Sequence, residues 1–203
     1  MAAKTDGDGI ILASASPRRL ELLRKIVPEF RVEASRVDES TILESDPARF
    51  ALAAAVLKAR EVGRRFPGSI VIAADTVVAL DNRIFGKPAG RGDARRTLQA
   101  LSGRKHRVIT AVALFRGKDH RLSAGLETSF VLFRELKGPE IEDYLDTGSS
   151  ADKAGSYAIQ EVNGTFIESY EGDYDNIVGL PVGLARKMLD DFTSARRRSE
   201  TDY

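Results

Sequence analysis

The chain has 203 residues, 42% of them hydrophobic and 30% charged, enough to build one domain or two small lobes around a sizeable core. Lys and Arg number 31 against 30 Asp and Glu, so the net charge of +1 speaks against a nucleic-acid-coating protein or a polybasic membrane binder, and any basic function must be local. There is no cysteine, hence no disulfide framework and no thiolate metal site, and no apolar run approaches the roughly 20 residues of a membrane span. A cytoplasmic protein is expected.

The opening stretch MAAKTDGDG lacks an apolar signal core and reads as a flexible tip. GIILA (9–13) reads as a buried strand. From Pro17, the apolar residues Leu20, Leu23, Ile26 and Val27 recur at helical spacing, with Ser16 as N-cap and Pro17 at the first helical position. FRVEA (30–34) alternates like a strand. Residues 46–66 form a long Ala-rich helix capped by Asp46. SIVIAAD (69–75) is an apolar strand ending in a carboxylate, and TVVALDNRIF suggests a hairpin turning at Asp81-Asn82. RGDARRTLQALSG is a helix with Gly103 past its end. HRVITAVALFRG and RLSAGLETSFVLFREL pair as long strands. GPEIEDYLDTG is a short helix, SYAIQ and TFIESY are strands, NIVGLP is a tight turn, and GLPVGLARKMLDDF is the last helix. The tail TSARRRSETDY is polar, basic and frayed. Early alternation of helix and strand with a strand-rich middle predicts an α/β chain with a long mixed sheet.

Five short stretches and one helix lysine carry candidate chemistry. In LASASPRRLELL (12–23), a strand, a small-residue turn and a helix N-terminus form the architecture that binds phosphate. Ser14 and Ser16 offer hydroxyls, and Arg18 and Arg19 offer planar forks suited to phosphate oxygens. Two arginines at a positive helix terminus are locally unfavourable unless an anion joins them. The alternative is an ordinary capped helix with solvated arginines. In VIAADTVV, Asp75 at a strand end carries a desolvation cost that a metal, a cation or donors must offset, with Thr76 beside it; the alternative is a turn-capping Asp. Lys87, fixed between Gly86 and Pro88, is a point charge for phosphate or a solvated loop lysine. Asp38 and Glu39 in VDES are oxygen ligands for Mg²⁺ or Mn²⁺, or plain surface charge. Lys58 sits on the Ala-rich helix, as a functional cation or as part of its polar face. In DKAGSYAIQ, Gln160 at a strand end is able to read a base edge, donating and accepting at once, or is a routine amide.

The motifs SASPRR, VDES, LKAR, AADTVV, GKP, LSGRKHRVITAVAL, DKAGSYAIQ and NIVGLP follow in this order from about residue 9 to 192. The pattern resembles the Maf family, the septum-formation-inhibitor-like nucleotide pyrophosphatases. The AADTVV and AGSYAIQ forms look like the branch acting on dTTP and UTP rather than the one preferring 7-methyl-GTP. The resemblance implies a single Maf-like domain over 1–203 with a core of about 9–192. Its α/β fold would be Maf/inosine-triphosphatase-like, a long central mixed sheet with two lobes around a cleft. It implies metal-dependent hydrolysis of dTTP or UTP, and of modified pyrimidine nucleotides, to monophosphate and pyrophosphate, with Mg²⁺ or Mn²⁺. By motif match, Asp75 is the proton acceptor. Ser14, Arg18, Arg19, Lys58 and Lys87 hold the phosphates, and Glu39 with Asp75 binds the metal. Arg18, Thr76 and Gln160 are specificity positions. His106 matches a family histidine whose strand-start place suits a structural role. The partner is the nucleotide, without nucleic acid or membrane, and a homodimer is an open assembly. Two departures stand out: Asp173 replaces a small hydroxyl in Gly172-Asp173-Tyr174, and Glu161 follows Gln160 where the family commonly has Gly. A nucleotide-binding regulator of septum formation without hydrolysis is the alternative reading.

Overall fold

A computed structural model describes residues 9–199. The predicted N-terminal tip and the last four residues of the tail lie outside the described residues. A seven-stranded mixed sheet runs through the molecule in the order β2-β1-β3-β5-β6-β7, with β4 paired to β3. β1 (Ile10–Leu12) lies parallel to both β2 (Arg31–Val32) and β3 (Ile70–Leu80). β5 (Lys105–Arg116) runs antiparallel beside β3, the comparably long β6 (Arg121–Phe133) runs antiparallel beside β5, and β7 (Ile167–Glu171) forms an edge on β6. The hairpin at Asp81-Asn82 forms as expected: both residues take positive φ, 48° and 63°, as a tight two-residue turn into β4 (Arg83–Phe85) requires.

The strand alternation of β3 sorts its side chains onto opposite faces. Val71, Ala73 and Val77 face α2 (Pro47–Arg65), whereas Ile72 and Ala74 face α1 (Pro17–Arg24) and α7 (Val182–Ser199). The alanine content of α2 has a packing reason. Ala51, Ala55 and Ala59 recur every four residues and are fully buried, so the helix axis comes close to the sheet. At Gly63 a Cβ would lie 2.4 Å from the Phe115 ring, so no larger residue fits that approach. A second lobe packs α3 (Arg91–Leu101) and α4 (Gly138–Asp146) with Val78, Leu80, Val108 and Phe133 in its own apolar cluster.

Several local expectations change. The strand read through 69–75 does not end at Asp75; β3 continues to Leu80, because Thr76–Ala79 keeps its antiparallel ladder with β5. SYAIQ is not a strand: a 3₁₀ turn over Ala154–Ser156 leads into α5 (Ile159–Val162), so Gln160 sits on a helix rather than at a strand end. NIVGLP is mostly helical, as α6 (Tyr174–Val178), and only Gly179, at φ 131°, makes the turn. FRVEA contracts to the two residues of β2. The last helix continues beyond Phe192 to Ser199, through the part of the tail read as frayed.

Candidate active site

β3 is far longer than its neighbour β1. Along that edge, residues 70–72 pair with β1 and residues 78–80 pair with β4. Residues 73–77 therefore face an interruption in the sheet, beyond the carboxyl end of β1, which is where ligands collect in open α/β sheets. Asp75 and Thr76 lie in this interruption. A cleft of about 470 Å³ opens there, with the Ser14–Arg19 segment, Glu39, Lys58, Asp75 and Thr76 on one wall, and Lys87, Lys153, Tyr157 and Gln160 on the other. All the residues proposed from sequence except Asp38 thus reach one cleft, although their sequence positions span Ser14 to Gln160.

Asp75 is 6% exposed, on the α2 face of β3. Lys58, carried on the close-packed helix, places its Nζ 2.6 Å from Asp75 Oδ1 and 2.7 Å from Glu39 Oε1. Burial pushes the Asp75 carboxyl above the ordinary carboxylate range, and the Lys58 and Arg19 charges oppose that shift. Asp38, the other acid of VDES, stays outside this group: it caps the 3₁₀ turn Glu39–Thr41 by accepting from Ser40 N at 2.9 Å.

The two arginines part company. Adjacent helical residues point about 100° apart. Arg19 turns into the sheet interruption, where its Nε donates to the Gly179 carbonyl at 2.9 Å, one Nη to Thr76 Oγ1 at 3.0 Å and the other to Ser14 Oγ at 3.4 Å. Burial lowers its proton affinity while Asp75 and Glu39 raise it. Arg18 also lines the cleft, and its charge reaches Asp152 and Tyr144 as well as Arg19. Ser16 caps α1, its Oγ accepting from Arg19 N at 3.5 Å.

The sequence reading passed over Lys153. Only 6% exposed, it forms the facing cationic wall, bonded to the Ser149 carbonyl and 2.9 Å from Asp152 Oδ1. The signal available was the Lys beside Ala-Gly in DKAG. Gly155, at φ 68°, seats this segment on β3: a Cβ there would lie 2.7 Å from Val78, and its N–H donates to the Gly86 carbonyl, tying it to the GKP loop. The two departures also find places. Glu161 accepts from Tyr144 Oη at 3.1 Å and lies 3.4 Å from Lys153 Nζ, so it braces the second wall. Asp173 caps α6, accepting from Asp175 N at 2.8 Å, and does not line the cleft. His106 is buried beneath the wall, 2.8 Å from Tyr157 Oη through Nε2; burial lowers its pKa to about 4, which keeps it neutral and structural.

The model of the family described as Maf-like protein matches residues 9–192. The chain belongs to the Maf family. Relatives of this Maf chain include a dTTP/UTP pyrophosphatase from Symbiobacterium thermophilum, 46% identical over 90% of this chain and 93% of the relative. Proteins of the same name from Thermococcus gammatolerans and Pyrococcus furiosus are 45% and 41% identical, each over 89% of this chain and 95% and 94% of their own lengths. Among solved structures, the Ham1 protein of Staphylococcus aureus superposes on the Maf chain with a TM-score of 0.54 at 14% identity, covering 91% of this chain and 98% of that one. At that identity the likeness concerns the fold, and it agrees with the mixed α/β sheet described above. Among the described residues, no helix is long and apolar enough to cross a membrane.

Proposed function

We propose that this Maf chain is a single-domain nucleoside triphosphate pyrophosphatase that hydrolyses dTTP and UTP to the monophosphate and pyrophosphate. The observation that carries the reading is the juxtaposition of one buried carboxylate, Asp75, with cations converging from both walls: Arg18, Arg19, Lys58, Lys87 and Lys153. A nucleoside triphosphate brings roughly four negative charges near neutral pH, since phosphate second ionisations fall near pH 6. The names of the relatives support dTTP and UTP as substrates.

In this reading Asp75 takes a proton from a water that attacks the α-phosphorus. The bond from that phosphorus to the bridging oxygen breaks, and pyrophosphate leaves with the electron pair. Lys58, hydrogen-bonded to the carboxylate, favours the ionised form of Asp75 and so opposes the effect of burial. Arg18, Lys58 and Lys87 hold phosphate oxygens. Ser14 and Arg19, engaged with one another, set the wall against which the phosphates rest. Thr76 and Gln160 face the base with Arg18. Such transfer relies on positioning and charge stabilisation, so no nucleophilic cysteine or histidine is needed.

A divalent cation fits the donor set. Lys58 Nζ, 2.7 Å from Glu39 Oε1 and 2.6 Å from Asp75 Oδ1, draws the two carboxylates together at one part of the cleft, and each carboxylate has a second oxygen for a cation beside the ammonium. No group of three or more His, Cys, Asp or Glu side chains gathers for a metal among the described residues, so the chain supplies two carboxylates. That is the pattern of Mg²⁺ or Mn²⁺, which keep waters and share phosphate oxygens. When bound, the ion neutralises charge on the triphosphate. The test is incubation of the pure protein with a nucleotide panel and Mg²⁺ or Mn²⁺, with products resolved. Pyrophosphate and a monophosphate from dTTP and UTP, abolished by chelation, are expected. Orthophosphate as the first product refutes the cleavage position.

A further inference from the structure

A directed chain of hydrogen bonds leads from the cleft into the sheet. Arg19 Nη2 donates to Thr76 Oγ1 at 3.0 Å, Thr76 Oγ1 lies 3.0 Å from Thr110 Oγ1, and Thr110 Oγ1 lies 2.9 Å from the Asn176 carbonyl oxygen. Thr76 and Thr110 are direct partners in the β3–β5 ladder, so this contact is built into the register. Thr110 and Asn176 are fully buried.

Proton accounting gives the chain one direction. A hydroxyl has one proton and two lone pairs, and a carbonyl only accepts. The Thr110 proton is therefore committed to Asn176. Thr110 must accept from Thr76, which commits the Thr76 proton as well. The guanidinium of Arg19 has no acceptor, so it occupies one Thr76 lone pair. What Thr76 offers the cleft is its remaining lone pair: an acceptor, with no proton to donate.

We propose that Thr110, a residue outside the cleft lining, is a specificity-determining residue that acts through Thr76 by holding the Thr76 proton. The inference rests on the pyrophosphatase reading above and deepens it. A site that only accepts selects groups carrying N–H and disfavours bare acceptor atoms. Uracil and thymine carry N–H at ring position 3, where cytosine carries an unprotonated nitrogen. Phosphate oxygens, acceptors themselves, are turned away from Thr76 for the same reason, which leaves it to the base.

The experiment is steady-state kinetics on UTP, dTTP and CTP for the wild type, Thr110→Val and Thr110→Ser. The wild type is expected to prefer UTP over CTP. Thr110→Val keeps the shape but frees the Thr76 proton. It should lower the UTP:CTP ratio of kcat/KM about tenfold, mainly through KM, as the gain or loss of one hydrogen bond implies. Thr110→Ser retains the hydroxyl and should retain the ratio. A folded Thr110→Val protein with an unchanged ratio, slowed alike on every nucleotide, overturns the proposal. Because this variant leaves the Asn176 carbonyl unpaired, it is checked by circular dichroism. If it does not fold, Thr110→Ala, which removes the same hydroxyl with less bulk against the Asn176 carbonyl, takes its place: a lowered UTP:CTP ratio supports the proposal and an unchanged ratio overturns it, as does equal turnover of UTP and CTP by the wild type. A wild type that hydrolyses no nucleotide overturns the pyrophosphatase reading and takes this inference with it, a result distinct from hydrolysis without discrimination.

Discussion

Replacing Asp75 by Asn separates charge from shape at the centre of the cleft. The amide oxygen of Asn can still accept from Lys58, now 2.6 Å from the carboxylate, and Lys58 keeps its second partner, Glu39, at 2.7 Å. No buried ammonium is left unpaired, so the large penalty of breaking a buried ion pair does not arise. The variant also loses a carboxylate whose ionisation burial disfavours. Stability should therefore change by no more than about 1 kcal/mol. Catalysis should not be spared: loss of a general base lowers kcat by about 10²–10⁴, or roughly 3–5 kcal/mol of barrier. A negative charge leaves the neighbourhood of the phosphates, but one of the two carboxylates assigned to the cation leaves with it, so kcat and not KM is the deciding readout. The assay is pyrophosphate release from saturating UTP, with urea unfolding on the same preparation. A folded Asp75→Asn protein with wild-type kcat refutes the base assignment. A protein that unfolds but keeps normal activity per folded molecule makes Asp75 structural. The pH profile gives a second check. A base must be ionised, so activity should fall with acid through the raised Asp75 value, above the roughly 3.9 of a free Asp. For the fold the sign is opposite: a raised carboxyl costs stability when ionised, and the cost is relieved as pH falls through the same window.

His106 should make the protein acid-sensitive. Its folded pKa of about 4 lies below the ordinary 6.5, so the unfolded chain takes up the proton first as pH falls, and stability drops by about 2 kcal/mol between pH 7 and pH 5. In His106→Asn, urea midpoints at the two pH values should differ much less than in the wild type; an identical pH dependence refutes the assignment. Arg18 and Arg19 should separate in a stability-versus-kinetics comparison. Arg19→Ala strips partners from Thr76, Ser14 and the Gly179 carbonyl, so it should destabilise the fold by about 1–3 kcal/mol and weaken all nucleotides alike. Arg18→Ala should leave the unfolding midpoint in place and change the kcat/KM ratio between UTP and a purine triphosphate. Equal losses on every substrate with equal stability would refute the division of labour.

Much of the fold was legible because its signals are local. The Asp81-Asn82 turn, the capped Ala-rich helix and the long apolar β5 and β6 runs depend on neighbours in sequence, and the structure reproduces them. The ordered motifs likewise pointed to one cleft. Three features needed the tertiary structure. Asp75 looked like the end of a strand because a carboxylate interrupts an apolar run, yet β3 continues past it; only the shortness of β1 creates the interruption in which a carboxylate can sit. SYAIQ has strand-like composition, but the backbone turns at Gly155, just before it, where the chain seats on Val78, and packing overrides local preference there. The direction of the Thr76 hydroxyl depends on Thr110 and on Asn176, residues 34 and 66 positions removed along their successive links. Sequence determines which groups are present and how each stretch tends to bend. Hydrogen-bond direction and electrostatic pairing are set by distances between groups far apart in the chain, and those distances exist only once the sheet has formed.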